Sequence, residues 1–135
     1  MSRYERQIRF KSLGTDGQRC LSSSRILVFS AGALGSHIID QLARMGAHHF
    51  AVVDMDIVEI SNLHRQTLFD ESDAYTLTSK VEAIKKKVHQ INSEIDITTF
   101  DKEVTSSNIE TLIEDTQPDI IIDSATYPRI WNTLH

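Results

Sequence analysis

Two glycines, two aspartates and a pair of cations carry the chemistry this sequence can do. Gly32 and Gly35 lie in SAGALGS (Ser30–Ser36), directly after the apolar run that ends at Phe29. Gly32 suits a backbone that must approach a phosphate closely, and Gly35 suits tight packing of a helix on a strand. A helix starting here would add free N–H groups and a favourable dipole. Asp54 follows at close to the spacing at which nucleotide folds place the acid that takes a ribose hydroxyl. Ser30 occupies the place of the fingerprint's first glycine, which costs turn freedom without blocking the site. Beyond Asp54 come Asp56, Ser61, Asn62, Arg65, Gln66 and Lys80. Arg65 and Lys80 could hold the phosphates of a triphosphate, the arginine through its planar fork. A hydride-carrying cofactor asks for less positive charge. The competing reading is a structural turn with an incidental aspartate, and two ordinary solvated cations.

These residues need elements to position them, and the chain supplies an alternating series. Tyr4 to Leu21 reads as short helical pieces interrupted near Gly14 and Gly17. Arg25–Phe29 is a buried strand, Ser36–Met45 an amphipathic helix closed by Gly46, and Phe50–Asp54 a second strand. A long polar connection, Met55 to Ser79, leads to a helix at Lys80–Ile91. A strand at Ile95–Phe100, a short helix at Asn108–Glu114 and a strand at Asp119–Asp123 complete the series. Such alternation predicts an α/β fold of Rossmann type: a mostly parallel sheet with helices on both faces and ligands at the carboxyl ends of the strands. Residues 1–24 read as an N-terminal helical segment and 25–135 as the nucleotide-binding unit.

Composition narrows the function classes. With 135 residues and a net charge of −5, the chain suits one folded domain and argues against a broad nucleic-acid surface. Lys85 to Lys87 reads as the wet face of a helix. The one cysteine, Cys20, excludes an internal disulfide and is expected to be a small buried residue. The six histidines are scattered, so no metal site is predicted. No apolar run approaches membrane-spanning length, and a cytoplasmic location is expected.

The string SNLHRQTLF, Ser61–Phe69, resembles sequence of the ThiF, MoeB and HesA group of adenylating enzymes, which includes the enzymes that activate ubiquitin-like proteins. The resemblance extends through RYERQI (Arg3–Ile8), SAGALGS, DMDIVEISNLHRQ (Asp54–Gln66), SKVEA (Ser79–Ala83) and IIIDSAT (Ile120–Thr126). It implies use of ATP and magnesium to adenylate the C-terminal carboxylate of a ubiquitin-like or sulfur-carrier protein, or of a peptide. Gly32 and Gly35 would then form the phosphate loop and Asp54 hold the ribose. Asn62, Arg65 and Lys80 would contact the triphosphate, with Asp56 and Gln66 beside them. Arg6 would reach into the nucleotide site of a second subunit, which implies a homodimer or a heterodimer with a homologous chain.

Three departures from that group stand in the sequence. Ser30 and Ala33 replace loop glycines. Thr126 and Tyr127 stand where the group commonly has an aspartate, implied to bind magnesium, followed by asparagine. The group's adenylation domain also continues for roughly another hundred residues beyond the point matching His135, so the domain is expected to be incomplete. These features admit an alternative, a degenerate subunit that stabilises an active partner. A dinucleotide-dependent oxidoreductase is a weaker alternative, since it leaves SNLHRQ and Lys80 unexplained.

Overall fold

The computed structural model describes residues 2–125. Four strands form one parallel sheet in the order β3-β2-β1-β4: β1 Arg25–Phe29, β2 His49–Asp54, β3 Asp96–Asp101 and β4 Ile120–Asp123. The register sets Ile26 beside Phe50 and Ile120, and Phe50 beside Ile97. Helices α3 (Ala33–Met45) and α5 (Lys80–Ile91) lie between these strands in sequence. Their inner residues Ile39, Ala43, Val81, Ile84 and Val88 pack with Ile26, Val28, Phe50, Val52 and Ile97 on one face of the sheet. Helix α6 (Ile109–Thr116) covers the other face, where Ile109 and Leu112 meet Leu27, Phe29, Ala51 and Val53. Period-two alternation along β1 and β2 thus feeds two separate apolar layers.

The connectivity reverses at β1. The chain steps outward from β1 to β2 to β3, then returns through α6 to place β4 on the other side of β1. A reversal of this kind opens a crevice at the carboxyl ends of the two strands that flank it. That edge carries the turns after Phe29, Asp54 and Asp123.

Several sequence expectations need correction. α3 starts at Ala33 with Gly32 as its N-cap, three residues before the predicted start, because the loop turns into helical geometry immediately. Gly46 closes it in the left-handed conformation, as its position suggests. α2 (Gly14–Ser23) runs through Gly17 without interruption. One helix glycine costs about 1 kcal/mol, which tertiary contacts override. The long connection carries elements of its own, a 3-10 turn at Ile60–Asn62 and the short helix α4 at Glu71–Tyr75. Cys20 is exposed, contrary to the expected burial. α2 turns Gln18 inward, and a residue two positions along a helix falls on a different face.

The N-terminal segment, with α1 at Glu5–Ile8, is seated on the edge of the sheet where the strands begin. Arg3 donates to the Ile91 carbonyl at the end of α5, and Gln7 to the Met45 carbonyl at the end of α3. The Tyr4 hydroxyl pairs with His48 Nε2 at 3.4 Å.

Candidate nucleotide site

The turn after β1 is braced from three sides. Ser30 adopts φ 75°, the left-handed conformation for which glycine is preferred. Its N–H donates to the Val53 carbonyl at 2.9 Å. From the turn after β4, the Ser124 hydroxyl lies 2.7 Å from the Ser30 carbonyl and 2.9 Å from that of Phe29. Ser124 carries little signal in the sequence, being only a small hydroxyl residue at the end of a strand.

The two loop glycines are glycine for different reasons. A Cβ at Gly35 would stand 2.2 Å from the Ser30 carbonyl oxygen and 2.6 Å from Ser124 Oγ. The first turn of α3 is therefore pressed against the β1 turn, as tight helix-to-strand packing requires. At Gly32 the backbone is ordinary, with φ −77°, and a Cβ would meet nothing closer than 3.9 Å. None of the described residues demands a glycine there, and none of them fills the space beside it at the N-terminus of α3. An open space of this kind is what close backbone approach to a phosphate needs.

Asp54, at the end of β2, ties this loop to the next. Its Oδ2 accepts from the Ala31 N–H at 2.7 Å and its Oδ1 from the Asp56 N–H at 2.8 Å. An ionised carboxylate has about four acceptor positions, so two remain after these bonds. The connection then closes on itself: Ile57 bridges Ser79 in antiparallel fashion, and the Lys80 N–H donates to the Asp56 carbonyl at 2.9 Å. That closure brings Lys80 Nζ to 3.6 Å from Asp56 Oδ2. Lys80 is only 5 % exposed, which rules out the reading of an ordinary solvated cation. The Asp56 side chain is 64 % exposed and faces outward.

Ser61 to Gln66 forms a compact turn held down by the buried side chains of Val58, Leu68 and Phe69. Asn62 is buried, and its Oδ1 accepts from the Glu59 N–H at 2.8 Å. Its carbonyl oxygen is thereby committed, which leaves the amide nitrogen as the group that can donate to an anion. Arg65 is exposed, and its Nη1 donates to the Ser61 carbonyl at 2.7 Å. Gln66 is 4 % exposed, with Nε2 3.9 Å from the Cβ position of Gly32. The fold therefore gathers Gly32, Gly35, Asp54, Asp56, Lys80 and Gln66 along one edge, with Asn62 and Arg65 on the turn that carries Gln66.

Arg6 is not among them. Its helix sits at the far end of α3, whose 13 residues span about 20 Å. Thr126 and Tyr127 lie outside the described residues. A cavity of about 100 Å³ opens at the strand-start edge, lined by Arg25, His49, Asp96 and Asp115 among others, and it includes none of the predicted site residues. Among the described residues no three or more His, Cys, Asp or Glu side chains are grouped to hold a metal ion, and no helix is long and apolar enough to cross a membrane.

Known proteins share both sequence and architecture with this chain. It is 39% identical, over 91% of its length, to the sulfur carrier protein ThiS adenylyltransferase of Bacillus subtilis, of which it covers 36%. It is 34% identical over its whole length to the molybdopterin-synthase adenylyltransferase of Escherichia coli, of which it covers 53%. The crystal structure of E. coli tRNA N6-threonylcarbamoyladenosine dehydratase, TcdA, in complex with ATP superposes with a TM-score of 0.88 at 26% identity, covering 98% of this chain and 52% of that one. That of E. coli MccB with ATP gives 0.83 at 28% identity, covering 94% and 38%. The chain thus spans from about a third to about half of these proteins. Residues 4–126 match the ThiF family. The chain belongs to the ThiF family.

Proposed function

We propose that this chain is the nucleotide-binding part of an ATP-dependent adenylating enzyme acting on the C-terminal carboxylate of a sulfur-carrier or ubiquitin-like protein, or of a peptide. The observation that carries the reading is Lys80, a lysine withdrawn from solvent beside Asp56 at the same edge as the open space at Gly32. Lysine is rarely buried unless it is paired, and an exposed carboxylate 3.6 Å away is a loose partner for it. A triphosphate entering at Gly32 supplies further negative charge. Relatives add support: one is the adenylyltransferase of the sulfur carrier protein ThiS, and MccB has been crystallised with ATP and with MccA.

In this reading Gly32 and the N–H groups opening α3 receive phosphate oxygens. Asp54 takes the ribose hydroxyls with its remaining lone pairs. Asn62, Arg65 and Lys80 hold the phosphate chain, with Gln66 beside it. The acceptor carboxylate attacks the α-phosphorus, an acyl adenylate forms, and pyrophosphate leaves with the bonding electron pair. No protein nucleophile takes part. Arg65 and Lys80 act by holding charge in place before the reaction begins, which stabilises the departing pyrophosphate more than water can. Magnesium is commonly held by one or two carboxylates together with substrate phosphates, and Asp56 fits that pattern on this chain. When bound, the ion neutralises phosphate charge.

Residues 1–24 serve as an arm that carries Arg6 to a second subunit, and a cytoplasmic setting suits the use of ATP. Ser30 at φ 75° favours the second reading, a degenerate subunit that supports an active homologue. Pyrophosphate exchange into ATP, driven by a sulfur-carrier protein, tests the activity. Exchange that depends on the carrier's C-terminal carboxylate supports adenylation; ATP binding with no exchange for any carrier or peptide supports the degenerate subunit. If Arg6 acts in trans, mixing Arg6→Ala and Arg65→Ala chains restores part of the activity that each lacks. No rescue on mixing would remove the arm from the mechanism.

A further inference from the structure

The connection between β2 and α5 leaves apolar side chains outside. Val58 is fully buried, but Ile57 and Ile60 on either side of it are 44 % and 54 % exposed. The Ile57–Ser79 bridge, with the Val58 N–H donating to the Thr78 carbonyl at 2.9 Å, lays this stretch against the end of α4. There Tyr75 and Leu77 are 73 % and 67 % exposed. Leu77 is the informative member. Its N–H donates to the Ala74 carbonyl and the Thr78 N–H to the Asp73 carbonyl, the pair of bonds that closes a helix through one left-handed residue, and Leu77 is that residue at φ 54°. Glycine or asparagine ordinarily fills such a place, because a larger side chain strains the backbone there. A leucine that is strained and yet packs little on its own chain has its use outside that chain. Exposed carboxylates flank the patch: Asp56 and Glu59 beside Ile57, and Glu71 at the start of α4.

The complementary surface is at the other end of α5, whose 12 residues span about 18 Å. There α1 runs into a turn that presents Arg9, Phe10 and Lys11, all exposed, with Phe10 at 66 %. The turn is preformed. The Leu13 and Gly14 N–H groups both donate to the Phe10 carbonyl, while Arg3 and Gln7 tie the segment to the ends of α5 and α3. We propose that the patch at Ile57, Ile60, Tyr75 and Leu77 receives the Arg9–Phe10–Lys11 turn of a second copy of this chain. An aromatic ring then covers apolar surface, and the cations on either side of it meet the flanking carboxylates. A two-fold axis perpendicular to the strands carries the strand-start edge of one copy to the carboxyl edge of the other. Both contacts therefore form at once, and the assembly closes as a dimer. This deepens the proposed function, which invokes a second subunit, by naming the surface that seats it, and it takes nothing from the nucleotide contacts.

The test is the dissociation constant of self-association, measured by sedimentation equilibrium on the full chain without nucleotide, with circular dichroism as the check on folding. The wild type is expected to be a dimer. Phe10→Ala and Leu77→Gly are each expected to raise the dissociation constant about tenfold or more, the scale on which truncation of an interface anchor acts. Glycine suits the left-handed backbone at position 77, so that variant is expected to fold. Charge reversal tests the pairing itself. Chains with Arg9→Glu and Lys11→Glu, and chains with Glu59→Lys and Glu71→Lys, are each expected to associate weakly alone and to recover association when mixed, because only the mixed dimer has opposite charges at both contacts. A dimer that neither truncation weakens, or charge variants that stay apart on mixing, would overturn the proposal. Should Leu77→Gly not fold, Phe10→Ala and the charge variants decide. A monomeric wild type also overturns it, and loss of carrier-driven pyrophosphate exchange in Leu77→Gly would then give the patch to the acceptor protein. A patch-dependent dimer that binds no ATP would leave this interface standing and remove only the proposed function.

Discussion

Burial changes what a charged side chain can be for. An exposed cation such as Arg65 has little effect on the stability of the free chain, because water solvates it equally well with or without a partner. Lys80 is instead enclosed next to one exposed carboxylate, at a spacing beyond an ordinary hydrogen bond. If that arrangement exists to meet phosphate, Lys80→Ala weakens ATP binding by about 1.5–3 kcal/mol, the scale of a charge-assisted contact. Calorimetric titration checks this, and an unchanged affinity would return Lys80 to the role of a core residue with a local ion pair. The residue types of the site were legible in the sequence, down to Asp54 and the glycines. Their surroundings were not. The burial of Lys80 depends on the Ile57–Ser79 bridge, a contact between the two ends of a connection that carries no strand pattern. Gln66 Oε1 is buried without a hydrogen-bond partner among the described residues, a state that depends likewise on packing that no local spacing encodes.

At the scale of elements, the contact between α3 and the β1 turn sets the geometry of the edge. Gly35→Ala would drive a Cβ into the backbone oxygen of Ser30, and neither element can yield without shifting. A loss of about 1–3 kcal/mol or more is expected in denaturant unfolding; a fully stable variant would mean that the turn is looser than described. Short apolar runs made the central strands readable, and α3, α5 and α6 were readable because each has one face to bury. It missed α4, which is too short to show a period and is held by its cap instead. Asp70 Oδ1 accepts from the Asp73 N–H at 2.9 Å, and Asp73 Oδ2 accepts from the Asp70 N–H at 3.0 Å. The bond from the Asp73 backbone, opposed by desolvation and aided by the Asp73 side chain and by Lys86 and Lys87, holds the Asp70 carboxyl below its ordinary value. The depressed value means that the ionised cap stabilises the fold above the unfolded-state value near pH 4, and that this stabilisation disappears as pH falls through the folded-state value. Asp70→Asn keeps an acceptor but removes that titration. Its unfolding free energy is expected to vary less than the wild type's on acidification below about pH 4; parallel pH profiles would assign the cap no share in acid stability.

For the whole molecule, topology is the organising fact. Reversal of the strand order at β1 puts the turns after β1, β2 and β4 on one edge, while the N-terminal segment is seated on the other. That separation explains why Arg6 can serve only another subunit's site if it serves one at all. β4 is an edge strand whose Ile120 and Ile121 are 46 % and 39 % exposed among the described residues. The chain also spans only part of each relative, about a third to about half of its length. The measurement that tests the central claim most directly is calorimetric titration of ATP into the full chain, with and without magnesium, in the wild type and in Gly32→Ala. Gly32 is chosen because a Cβ there meets no protein atom closer than 3.9 Å, so the variant should fold normally. The account predicts saturable binding to the wild type and a marked loss in Gly32→Ala at unchanged thermal stability. A folded wild-type chain that binds no ATP, or equal affinity in both, would contradict it.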